Sequence, residues 1–137
     1  MKGHPYIRAY LTGIAAPTLF LPLLLSAVML ARFVFGVQLP LERVAIFGMA
    51  VVPNIWGLWN ILYVWLSQRH NVPLGLFGTA LPLLLAPMGF GLMHLLDLQI
   101  PAEVVAGFPV AFPIILIAYY LVWKHLVGFL NALLGVA

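Results

Sequence analysis

Three short turn-forming breaks, at 36–40, 67–73 and 97–101, divide residues 11–123 into four long apolar runs: 11–35, 41–66, 76–96 and 102–123. Each run is near or above the roughly 20 residues a helix needs to cross a hydrocarbon layer. None alternates apolar and polar residues with period two, so a membrane β-barrel does not fit. The breaks are short, so successive helices are expected to pack antiparallel. Proline is frequent inside the runs (Pro17, Pro22, Pro53, Pro82, Pro87), which predicts kinks or locally irregular turns.

Composition decides what surrounds these helices. The chain is 65% hydrophobic and 7% charged, against roughly a quarter charged in soluble domains. The solvent for most of its surface is therefore expected to be a lipid bilayer. A net charge of +3 spread along 137 residues makes no nucleic-acid footprint, so no nucleic-acid partner is implied. The chain has no cysteine, which removes disulfides, thiolate metal sites and cysteine nucleophiles. The first run is longer than the roughly 7–15 apolar residues of a signal peptide and is read as a retained span.

The second organising feature is a repeat. Gln38-Leu39-Pro40-Leu41-Glu42-Arg43-Val44-Ala45-Ile46-Phe47 returns sixty-one residues later as Gln99-Ile100-Pro101-Ala102-Glu103-Val104-Val105-Ala106-Gly107-Phe108. With small slips, Leu21-Pro22-Leu23-Leu24-Leu25 answers Leu81-Pro82-Leu83-Leu84-Leu85, and Pro53 answers Pro113. Two copies of one hairpin follow, over about 11–70 and 71–130. The fold class expected is an all-α polytopic integral membrane protein: one domain over 1–137, with four transmembrane helices as two tandem parallel hairpin repeats. Pro40 and Pro101 suit the first turn of a helix, where a missing N–H costs little. Glu42 and Glu103 follow at the positive end of the helix dipole. The repeated Pro-x-Glu is thus a helix start rather than a catalytic carboxylate pair.

Lys2, Arg8, Arg69 and Lys124 flank one face; Arg32 and Arg43 flank the other with all three acids. The positive-inside rule then places both termini in the cytoplasm of a bacterial-type inner membrane.

Two groups of residues are candidates for a site. Trp56, Asn60 and Tyr63 recur at i, i+4 and i+7 on one helix face, with Trp59 beside them and Asn54 after Pro53. This polar-aromatic cluster suits bundle packing, where interhelical amides act as polar glue, or a pocket for a flat apolar ligand such as a quinone. The Asn54 amide is also expected to serve the carbonyl that Pro53 leaves without a donor, or to bond across the bundle. The second group is Arg32, His94 and Asp97, expected as an interfacial charge network in which Arg32 and Asp97 form a clasp and His94 adds a proton-responsive group. Haem ligation between helices needs a second histidine at matching depth, and only His94 lies inside a run. No metal site, cofactor or catalytic set is implied. Gly89-x-Gly91 and Ala27-x3-Ala31 offer close helix approach.

These features place function in three classes, in this order: a non-enzymatic interaction or accessory protein, alone or in a larger membrane complex; a small transporter or channel acting as a homo-oligomer; a quinone- or haem-binding membrane enzyme subunit.

Overall fold

The computed structural model describes residues 3–38, 44–97, 99–100 and 102–136. Among these the fold is helical throughout, without strands. Helix α1 spans Pro5–Phe33. The next helical run opens with wide π-type turns over Val44–Val51 and continues as α2, Val52–Ser67. Helix α3 spans Leu74–Leu95. Helix α4, Ala102–Leu121, passes through π-type turns at Val122–Val127 into α5, Gly128–Leu133. Four runs are long and apolar enough to cross a membrane: Pro5–Phe33, Gly48–Ser67, Leu74–Leu95 and Ala102–Leu133.

Helix boundaries depart from the sequence reading at both extremes. Residues ahead of the first apolar run are already helical from Pro5, because proline at the first helical position needs no N–H partner and has its φ set for the helix. Beyond the fourth run, which ends at residue 123, the chain remains helical to Leu133. Pro17, Pro22, Pro82 and Pro87 sit inside α-helices rather than ending them. Pro53 follows the π-type turns directly, and such widened turns make room for a ring that would otherwise press on the carbonyl one turn earlier. Of the repeated Pro-x-Glu, Glu103 occupies the first turn of α4. Pro40, Glu42, Arg43 and Pro101 lie outside the described residues, as does Lys2.

Helix ends use left-handed residues. Gly36 takes φ 66°, and the Val37 N–H returns to the Ala31 carbonyl at 3.0 Å. Asp97 takes φ 52° after α3, a conformation that aspartate tolerates better than most side chains. Its N–H meets the His94 carbonyl at 3.1 Å. Hydroxyls are also used locally: Thr12, Thr18, Ser26 and Thr79 each donate to a carbonyl one turn back at 2.7–3.0 Å. A hydroxyl so engaged is not a bare donor in an apolar surround.

The helices form two compact units, Met1–Arg69 with Phe129–Ala137, and His70–Gly128. In the first, α1 and α2 run antiparallel and touch backbone to backbone. A Cβ placed on Gly13 would collide with the Trp56 carbonyl oxygen and lie 2.7 Å from the Gly57 Cα. A Cβ on Gly57 would lie 2.6 Å from the Tyr10 ring. In the second unit α3 and α4 run antiparallel. Gly78 gives up its side-chain volume to the wholly buried Trp123, and Gly75 lies under Tyr120 and Lys124. Phe108 meets Phe90 edge-on at 5.2 Å and stacks on Phe112 at 4.9 Å. The close-approach glycines are therefore Gly13, Gly57, Gly75 and Gly78. Gly91, expected in that role, has open space where a Cβ would stand, and Ala27 is exposed.

Candidate functional site

The most concentrated polar chemistry lies inside the first unit. Asn60 on α2 is fully buried and Asn131 on α5 is 2% exposed. Their amides bond reciprocally: Asn60 Nδ2 donates to Asn131 Oδ1 at 2.8 Å, and Asn131 Nδ2 donates to Asn60 Oδ1 at 3.2 Å. Asn60 Nδ2 also donates to the Ala9 carbonyl of α1 at 2.8 Å. Both donor hydrogens of Asn60 are spent, and its carbonyl oxygen has a donor. One amide thereby joins α1, α2 and α5. Carboxamides win here because each offers donor and acceptor without the desolvation cost of a charge.

The same end of the unit carries a charged cap. Arg8 Nη1 donates to the Leu134 carbonyl at 3.0 Å, just past α5. That carbonyl end is the negative pole of a helix, where a cation is favoured. The turn is closed by bonds from Gly135 N–H to the Ala132 carbonyl at 3.1 Å and from Val136 N–H to the Asn131 carbonyl at 2.8 Å. Gly135 takes φ 61°, and a Cβ there would stand 3.2 Å from Arg8 Nη1. Arg8→Met keeps the stem and removes the cap. We expect a loss of about 0.5–1 kcal/mol and faster amide hydrogen exchange at residues 134–136, with α3 unaffected. Unchanged exchange there counts against the cap.

The predicted polar-aromatic residues divide between two surfaces. Trp56 and Asn60 are buried, Trp59 and Tyr63 half-buried. Asn54 is exposed, roughly a third of a helical turn round from Asn60. Its Oδ1 accepts the Tyr10 hydroxyl, and its Nδ2 donates to the Ala50 carbonyl at 2.7 Å. The carbonyl that Pro53 leaves without its usual donor is that of Met49, four residues back, so the amide does not fill that gap; through Tyr10 it bonds across to α1 instead.

Arg32 and the His94–Asp97 pair fall in different units. Arg32 is exposed, its guanidinium 5.8 Å from the Phe33 ring. His94 and Asp97 are exposed and meet through backbone atoms. Arg69 stands over Trp65 at 4.5 Å and Lys124 over Tyr120 at 5.5 Å. Arg69 follows the end of α2, whereas Lys124 lies inside the helical run Ala102–Leu133.

Asn131, Arg8 and Tyr10 were not singled out from sequence. Asn131 had a signal, as a lone amide in an otherwise apolar tail. Arg8 read as topology charge, and nothing local marks Tyr10. Among the described residues no group of three or more His, Asp or Glu side chains gathers as a metal site would. The amide network holds no nucleophile and no titrating group, so its chemistry is binding and orientation. Comparison with known protein families, with curated proteins and with solved structures finds no match for the chain.

Proposed function

We infer that the chain is an integral membrane protein acting by helix–helix contact, a non-enzymatic interaction or accessory protein of the bilayer. The observation that carries this reading is that the buried hydroxyl and amides bond within the chain, while the buried Arg8 Nε has no hydrogen-bond partner among the described residues. Thr12, Asn60 and Asn131 are the buried polar residues among those described, and each bonds to another part of the chain. An interior so bonded offers little to a polar substrate. By contrast α4 buries none of its residues over Ala102–Leu121, and its valines and isoleucines face outward. Lipid and neighbouring helices are the partners suited to such a surface.

The same reading places the protein in a bacterial-type inner membrane with both termini cytoplasmic, from the bias of basic residues. It takes the two units as copies of one hairpin. Support comes from the antiparallel helix pair in each, and from the unit boundary at Arg69, where the first sequence copy ends. Reporter fusions after His70 and after Ala137 are expected to report cytoplasm; a periplasmic signal at either overturns the orientation. The function is tested by purification in mild detergent with native mass spectrometry. Stoichiometric protein, whether foreign or further copies of this chain, is expected. A monomer that carries a tightly held small molecule, or that moves solute across sealed vesicles, overturns the reading.

A further inference from the structure

The exposed face of α2 carries one polar group that the fold does not use up. Asn54 has two amide hydrogens and spends one on the Ala50 carbonyl; its oxygen has two lone pairs and spends one on Tyr10. One donor and one acceptor remain on the outer surface. Asn54 lies near the middle of the helical run 44–67, with Val51, Val52 and Ile55 around it. In hydrocarbon an unmet donor costs several kcal/mol, and acyl chains supply no acceptor.

The surroundings are those of a helix seam. Ala50, Asn54, Leu58, Leu62 and Trp65 are all exposed and recur at helical spacing along one face. Leu58 is 59% exposed. Ala50, one turn before Asn54, is small enough to let a second backbone come close. No charged residue interrupts the stripe.

We propose that this face of α2 is a homodimer seam within the membrane, pinned by Asn54 of one copy against Asn54 of the other. A twofold axis sets a residue that lies beside it against its own copy. An asparagine with one spare donor and one spare acceptor is complementary to itself, so donor meets acceptor twice. The chain already makes this reciprocal amide pairing internally, between Asn60 and Asn131. A foreign helix would need its own donor and acceptor at the same depth, whereas a second copy brings both by identity. The proposal rests on the contact-based function above and names its partner.

The chain has no cysteine of its own, so single-cysteine variants read one position each. Leu58→Cys, oxidised in native membranes, is expected to give a covalent dimer of this chain. Asn54→Leu in that background is expected to weaken dimerisation about 3- to 30-fold, the range for membrane hydrogen bonds of this kind. Ala50→Leu alters no side-chain hydrogen bond and provides a second reading if Asn54→Leu fails to fold; it too is expected to reduce the dimer. A Leu58→Cys protein that stays monomeric, or a dimer indifferent to both substitutions, overturns the proposal. A Leu58→Cys adduct with a different polypeptide overturns the second copy as occupant but leaves the contact function standing. Absence of the dimer together with absence of any co-purifying protein removes both.

Discussion

Gly13→Leu is expected to open the α1–α2 hairpin. The new side chain would have to enter space held by the Trp56 carbonyl and the Gly57 Cα. Both are backbone, so no rotamer change relieves the clash and the helices must separate. Separation also lengthens the bond from Asn60 to the Ala9 carbonyl, now 2.8 Å. The cost is about 3 kcal/mol, the upper end of the range for overpacked sites. Gly13→Ala already introduces the Cβ and is expected to show much of the effect. Gly91→Leu is the control, since nothing lies within 4 Å of its Cβ position; it should change stability by less than about 0.5 kcal/mol. Reversible unfolding in mixed micelles measures all three. Equal stability of the Gly13→Leu and Gly91→Leu proteins would remove the backbone contact as a determinant of the hairpin.

The second large effect belongs to the buried amide pair. Asn60→Leu leaves the Asn131 amide buried without its partner, and Asn131→Leu leaves Asn60 with only the Ala9 carbonyl. Each is expected to cost about 1–3 kcal/mol, the penalty for stranding a buried polar group. The two residues form one interaction, so the double variant should cost clearly less than the sum of the single ones. Direct coupling between membrane side chains averages about 0.6 kcal/mol and reaches about 1.7. Strict additivity would show that the pair does not act as a unit. Deleting residues 129–137 should resemble Asn131→Leu plus loss of the Arg8 cap.

Much of the architecture was legible because it is written in local pattern. Four apolar runs became four helices of spanning length, since run length and the absence of charge are properties of neighbouring residues. The ends were less legible. The first apolar run starts at residue 11, yet α1 begins at Pro5, because a helix tolerates scattered charge where a proline starts it. The fourth apolar run ends at residue 123, yet the helical run continues to Leu133 and carries Asn131 to its bond with Asn60. Asn60 stood out on its aromatic stripe, while its partner Asn131 is 71 positions away in the chain. No periodicity announces a contact at that separation. The glycines make the same point: Gly89-x-Gly91 has the familiar spacing, but Gly13 and Gly57 meet because two helices cross there.

The wide sequence gap within the first unit has a consequence for how the protein is made. Arg8 and Leu134 are 126 positions apart, and Asn60 and Asn131 are 71 apart. At about 5–20 residues per second, a ribosome needs about 4 to 14 seconds to travel from Asn60 to Asn131. For most of that interval α1 and α2 are complete, and the Asn60 side chain still lacks its Asn131 partner. The last residues of the first unit therefore complete its interior late: until position 131 is made, Asn60 has only the Ala9 carbonyl of α1 to bond.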